Sequence, residues 1–200
     1  RNLLRNADIY ANKPALSDMS GKGEDGEWIW DTKTWNEFSD EVVAIFKSLI
    51  SIGFEKGDRM SIYAYNRPEW YSCYGATQMT NGVGEGVYHT CSPEEVEWVI
   101  GNSGSKVVII GNNPQSGGDP EKTPSRRYAR IADTLPEVEC IVVLDGVEPI
   151  DHEKAVSWDE FMAMGKDIAD SEVHARIDSI EPDDLAALIY TSGTTGNPKG

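Results

Sequence analysis

The sequence predicts an α/β fold, a largely parallel sheet flanked by helices, and three observations carry that prediction. Strand-like and helix-like stretches alternate along the whole length. Two runs, Lys106-Val-Val-Ile-Ile110 and Cys140-Ile-Val-Val-Leu144, are almost continuously apolar, as parallel strands covered on both faces are. Between the strands, helix-start signatures recur in which a hydroxyl or amide side chain is followed three residues later by Glu.

Residues 1–26 read as a leading segment with a short apolar piece at Ala15-Leu16 and a polar, glycine-rich turn from Ser20 to Gly26. Trp28-Ile29-Trp30 reads as a brief strand. Thr34-Trp-Asn-Glu37 is a capping box, in which the hydroxyl accepts from a first-turn amide while the glutamate reaches back. The helix it opens places Trp35, Phe38, Val42, Ile45, Leu49 and Ile52 at alternating spacings of three and four, so they form one apolar stripe. Glu37, Asp40 and Glu41 come early and Lys47 late, in agreement with the helix dipole, and Gly53 supplies the stop.

Arg59 to Tyr65 is the next strand candidate, and Asn66-Arg-Pro-Glu69 opens a second helix with Asn66 as its cap. That helix runs to about Thr80, with small Gly75 and Ala76 in its middle. Gly82, Gly84 and Gly86 interrupt the following stretch; their spacing is not that of a dinucleotide loop, and no helix follows directly. Val87-Tyr88-His89 reads as a short strand. Ser92-Pro-Glu-Glu95 then opens a helix that ends at Gly104. Between the two apolar runs lie a polar insertion, Asn112 to Pro124, and a helix candidate from Ser125 to Thr134. Ser157-Trp-Asp-Glu160 opens a further helix with Trp158, Phe161, Gly165 and Ile168 on one side, and Glu181-Pro-Asp-Asp184 leads into a last strand, Leu185 to Tyr190.

Hydrophobic content of 39% with 26% charged residues is ordinary for a water-soluble domain. The net charge of −16 argues against a nucleic-acid partner, because backbone phosphates are held by clustered Lys and Arg. Three cysteines, Cys73, Cys91 and Cys140, are widely separated and lack CxxC spacing, which points to a reducing compartment rather than to disulfides or zinc. The apolar runs are far shorter than the roughly 20 residues of a spanning helix, so no transmembrane segment is expected. The expected location is cytoplasmic, with peripheral attachment to the cytosolic face of an internal membrane left open. His89, His152 and His174 have no ligand-spaced neighbours and read as surface or satisfied core positions. Glu181, Asp183 and Asp184 read as a solvated turn rather than a metal site.

The chemistry concentrates in Thr191-Ser-Gly-Thr-Thr-Gly-Asn-Pro-Lys-Gly200, directly behind the last strand. Four hydroxyls, three glycines and a lysine in ten positions suit a polyphosphate. Glycine lets an anion approach the main chain, successive amides and hydroxyls donate to it, and Lys199 adds a point charge. The widespread GxxxxGK phosphate loop is excluded: Gly193 and Gly196 are three apart, Asn197-Pro198 precede the lysine, and Gly200 stands where that loop has Ser or Thr.

Tyr190-Thr-Ser-Gly-Thr-Thr-Gly-Asn-Pro-Lys-Gly200 resembles, at each characteristic position, the phosphate-binding signature of the adenylate-forming superfamily of acyl-CoA synthetases, luciferases and adenylation domains. The resemblance extends to Thr34-Trp-Asn-Glu37, Gly53-Phe-Glu-Lys-Gly-Asp58, Asn66-Arg-Pro-Glu-Trp70, Tyr88-His-Thr90, Ser92-Pro-Glu-Glu95 and Pro182-Asp-Asp-Leu185. Gly86 to Glu95 and Val156 to Lys166 look most like long-chain fatty acyl-CoA synthetases of the bubblegum-type branch, with Glu85 and His89 as departures.

That resemblance implies a two-step ligase using ATP, Mg2+ and coenzyme A, with a fatty acid as the acid substrate. It implies that Thr191, Ser192, Gly193, Thr194, Thr195, Gly196 and Lys199 bind the ATP phosphates, and that Thr191 or Thr194 seats Mg2+. Residues 1–200 are then expected to be part of an N-terminal AMP-binding domain, a fragment cut at both ends. The catalytic lysine and C-terminal lid would lie downstream, no catalytic residue would fall within this stretch, and the fragment would have no ligase activity by itself. Two other readings remain: an adenylate-forming enzyme for short- or medium-chain, aryl or amino acids, and a non-catalytic nucleotide-binding module.

Overall fold

The computed structural model describes residues 2–112, 119–191 and 196–200. Helix α1 (Asn2–Tyr10) is followed by strands β1 (Pro14–Lys22) and β2 (Trp28–Thr34), which pair with each other as an antiparallel hairpin. Then come α2 (Trp35–Ser51), β3 (Arg59–Ala64), α3 (Pro68–Met79), β4 (Val83–Val87), α4 (Pro93–Ser103) and β5 (Ser105–Gly111). The series continues with α5 (Pro124–Ala129), β6 (Cys140–Val143), β7 (Ala155–Ser157), α6 (Trp158–Met164), α7 (Asp170–Asp178) and β8 (Ala187–Leu188).

Strands β3 to β8 form one six-stranded sheet in the order β7-β6-β5-β3-β4-β8, and every pairing within it is parallel. The apolar runs behave as their composition requires. In β5, Val107 and Ile109 face one side and join Met60, Ile62 and Val142 beneath Val42, Ile45, Phe46 and Leu49 of α2. Val108 and Ile110 face the other side and join Tyr63, Ile141 and Val143 beneath Val96, Val99 and Ile100 of α4 and Tyr128 of α5. Each such fully buried side chain contributes roughly 1.5–3 kcal/mol of transfer free energy, so the two helical layers and the sheet depend on one another.

Local start signals hold at α2, α4 and α6: Thr34 with Glu37, Ser92 with Glu95 and Ser157 with Glu160 each close a reciprocal capping box. Gly104 ends α4 in the left-handed region, at φ 66.

Elsewhere the structure corrects the sequence reading. The N-cap of α3 is Arg67, not Asn66, and it makes no side-chain cap bond; its guanidinium instead pairs with Glu69 at 2.7 Å. The strand expected at Val87-Tyr88-His89 lies earlier and runs through the glycines. A Cβ on Gly84 would stand 2.7 Å from the Tyr74 ring and one on Gly86 3.2 Å from Trp70. These glycines exist to let α3 lay two stacked aromatic rings on β4, not to bend the chain. The Ser125–Thr134 helix is broken into α5 and a 3-10 turn at Ala132–Thr134; between them Ile131 leaves the helical region, at φ -124 and ψ 2, and both Ile131 and Leu135 are buried. Helices α1 and α7 and strand β7 lacked a legible signal. In α7 only Val173 and Ile177 are buried, and the helix is fastened by Lys47–Asp170 at 2.7 Å and Arg176–Glu55 at 3.0 Å. The last strand is two residues long rather than six.

Candidate functional site

The short β8 pairs with β4, Gly84 with Ala187 and Glu85 with Leu188, so the segment behind it emerges at the carboxyl edge of the sheet. That edge is where open α/β sheets place ligands. Thr191 and Lys199 then meet as an antiparallel bridge, with reciprocal amide-to-carbonyl bonds of 2.9 and 3.1 Å. The two ends of the glycine- and hydroxyl-rich segment are thereby held side by side. Thr191 and Lys199 are exposed, and Gly196 takes φ +88. Ser192, Gly193, Thr194 and Thr195 lie outside the described residues.

The segment's flanks are tied to α4. The Tyr190 hydroxyl donates to Oδ1 of Asn102 at 2.6 Å, and the Trp98 indole N–H donates to the Pro198 carbonyl at 2.9 Å. Gly200 lies against the Tyr190 ring, where a Cβ would approach ring carbons to 2.7 and 2.8 Å. Sequence reading missed Trp98 and Asn102, although their spacing of four places both on one face of a helix.

Beside this segment a cleft of about 300 Å³ opens at the ends of β3, β4 and β8, lined by Trp70, Tyr74, Gly86, Tyr88, Ile189 and Tyr190 among others. A more polar cleft of about 530 Å³ adjoins it, with Lys33, Arg67, Asn112 and His89 in its walls. His89 stacks on Tyr65 with ring centroids 3.9 Å apart. The turn after β4 is held by Arg127, whose Nη1 donates to the carbonyls of His89 and Cys91 at 3.2 and 2.7 Å. Tyr63 donates to the same Cys91 carbonyl at 3.3 Å, and burial pushes its phenol up to about 12.

Under the site, Glu85 is fully enclosed. Ser61 on β3 donates to its Oε1 and also contacts the hydroxyl of Ser105 at 2.7 Å. Its Oε2 has no hydrogen-bond partner among the described residues. Burial outweighs the serine hydroxyls and Arg59 and raises the carboxyl to about 7.

The acidic turn before β8 has a structural role. Asp184 takes Lys56 at 2.6 Å, Asn81 at 3.0 Å and the Glu181 amide at 2.8 Å, and these partners hold its carboxyl at about 2. Among the described residues no group of three His, Cys, Asp or Glu side chains is placed to hold a metal ion, and no helix is long and apolar enough to cross a membrane.

Comparison with known proteins agrees with this architecture. The chain is similar to the long-chain-fatty-acid–CoA ligase ACSBG2 of Gallus gallus, 29% identical over 177 residues, covering 88% of this chain and 22% of that protein. It is similar to ACSBG1 of Homo sapiens, named likewise, 25% identical over 192 residues, covering 96% of this chain and 25% of that protein. Coronafacic acid ligase from Pectobacterium brasiliense superposes with a TM-score of 0.73 at 19% identity, over 94% of this chain and 32% of that one. The anthranilate CoA ligase AuaEII, solved with anthranoyl-AMP, superposes with a TM-score of 0.69 at 21% identity, over 98% and 32%. At such identities these structures speak for the fold. The chain spans about a quarter of the length of the curated relatives it matches. The model of AMP-binding enzymes matches residues 3–200, and the chain belongs to that family.

Proposed function

We propose that residues 1–200 are part of the N-terminal AMP-binding domain of a long-chain fatty acid–CoA ligase, and that the segment from Thr191 to Lys199 grips the phosphates of ATP. The observation that carries this reading is the Thr191–Lys199 bridge. It gathers a Gly-, Ser- and Thr-rich segment and its lysine at the carboxyl edge of a parallel sheet, in a chain of the AMP-binding family. The fatty acid as substrate rests on the names of the relatives that the chain resembles.

In the proposed reaction a carboxylate oxygen of the fatty acid attacks the α-phosphorus of ATP and pyrophosphate leaves. The coenzyme A thiol then attacks the acyl carbonyl, loses its proton, and AMP leaves. Chemistry of this kind asks the protein chiefly for positioning and charge stabilisation. Amides of Gly193 to Gly196, the hydroxyls of Thr191, Ser192, Thr194 and Thr195, and the Lys199 ammonium would hold the departing pyrophosphate. Mg2+ would neutralise phosphate charge; the donors this stretch offers it are the hydroxyls of Thr191 or Thr194. Such a shell with few protein ligands suits Mg2+, which keeps waters and takes substrate phosphates as ligands. The protein is proposed to work in the cytoplasm, with any membrane contact peripheral.

The test is fatty-acid-dependent exchange of labelled pyrophosphate into ATP by the full-length protein that contains this chain, followed by thioester formation on adding coenzyme A. Exchange driven by an aryl or amino acid instead would reassign the substrate. No exchange with any acid would leave a nucleotide-binding module without chemistry. Residues 1–200 by themselves are expected to show none.

A further inference from the structure

We propose that α4 is the anchor that sets the position of the phosphate grip, with Trp98 and Asn102 as its positioning residues; the catalytic part of this proposal rests on the function proposed above. The two side chains are four residues apart and so share one helix face. Trp98 bonds to the carbonyl of Pro198, the residue before Lys199. Asn102 accepts from Tyr190, the residue before Thr191. Thr191 and Lys199 are the two members of the bridge. One turn of one helix therefore holds both arms of the segment, each at the position next to the bridge.

The anchor is itself firmly placed. Helix α4 starts in a reciprocal capping box and buries Val96, Val99 and Ile100 against the sheet. Trp98 does not share that duty: it is 40% exposed, and Asn102 is exposed as well. A large aromatic side chain left outside the core, with its one polar atom bonded to the far end of the segment, is doing something other than packing. Tyr190 completes the arrangement. The residue is 7% exposed, its hydroxyl is spent on Asn102, and its ring lies against Gly200. With these contacts the backbone of Lys199 is fixed on both sides, so its ammonium meets a phosphate without first ordering the chain that bears it.

The experiment uses the full-length protein with Trp98→Phe, which keeps a ring and removes the donor, and Asn102→Ala and Tyr190→Phe, singly and together. A neutral hydrogen bond contributes about 0.5–1.5 kcal/mol, so each loss should raise the KM for ATP in pyrophosphate exchange about five-fold. The KM for the fatty acid and the thermal midpoint should stay unchanged. Asn102→Ala and Tyr190→Phe together should cost no more than either one, because both remove the same bond. Independently of ATP, trypsin should cut after Lys199 several-fold faster in Trp98→Phe than in the parent. Unchanged cleavage and unchanged KM for ATP would overturn the proposal, as would losses that track a lower thermal midpoint. Faster cleavage with an unchanged KM for ATP would establish the anchor and remove the phosphate-grip reading instead.

Discussion

Ser61 and Glu85 face each other across paired parallel strands, and the serine hydroxyl donates to a carboxyl that no solvent reaches. Burial raises that carboxyl from 4.5 to about 7. A group whose pKa is raised on folding favours the folded state below its unfolded value, and that contribution is lost as pH rises through the folded value. The shift corresponds to roughly 3 kcal/mol at most. Glu85→Gln keeps the acceptor and discards the charge. The variant should match the parent at pH 4 and exceed it in stability by about 1–3 kcal/mol at pH 8, with the gap opening between about pH 4.5 and 7. Denaturant titrations across that range would show it, and parallel curves for the two proteins would contradict the assignment.

Asp184 runs the opposite way. Lys56, the Glu181 amide and Asn81 hold it at about 2, below its ordinary 3.8. A lowered carboxyl stabilises the fold above its unfolded value and loses that contribution as pH falls through the folded one. Relative to Asp184→Asn, the parent should therefore lose stability as pH drops from about 4 to about 2. Thermal midpoints in acid, compared at constant ionic strength, report the difference.

Gly84→Ala places a methyl group 2.7 Å from the Tyr74 ring inside a stack that also holds Trp70. Overpacking of this kind costs typically about 1–3 kcal/mol. The thermal midpoint should fall, and Gly84→Ala combined with Tyr74→Ala should recover part of the loss. An unaltered midpoint in the single variant would show that the ring gives way freely.

Lys199→Ala removes the charge and Gly193→Val the small residue that the proposed grip requires. Hydrogen bonds to charged groups are worth roughly 1.5–3 kcal/mol, so pyrophosphate exchange by the full-length Lys199→Ala protein should fall by about 10- to 150-fold in kcat/KM. The fold should be intact by circular dichroism. A Gly193→Val protein with undiminished exchange would end the assignment of that residue.

What the sequence disclosed and what it withheld divide by range. The capping boxes at Thr34, Ser92 and Ser157 were legible because each is settled within four residues. The runs at Lys106 and Cys140 were legible because a strand covered on both faces needs apolar side chains on both. Strand β4 was misplaced because its glycines answer to Trp70 and Tyr74, a tertiary demand that overrides local preference. The residue types behind β8 pointed to phosphate, and the Thr191–Lys199 bridge shows how their ends are gathered. Ser192 to Thr195 lie outside the described residues. Trp98 and Asn102 could not be read, since nothing local to α4 announces a partner about a hundred positions away.

The same distance bears on synthesis. At about 5–20 residues per second, the stretch between β4 and β8 takes on the order of 5–20 seconds to emerge. During that interval the outer edge of β4 waits for Ala187 and Leu188, the residues that will cover it. Unpaired edges invite strands from other nascent chains, and inward charges discourage them. Val83-Gly-Glu-Gly-Val87 is a poor template in both respects, with two glycines and an inward carboxyl. Replacing Glu85 with valine should accordingly lower the soluble yield from cells, through aggregation of chains in which β8 has not yet been made.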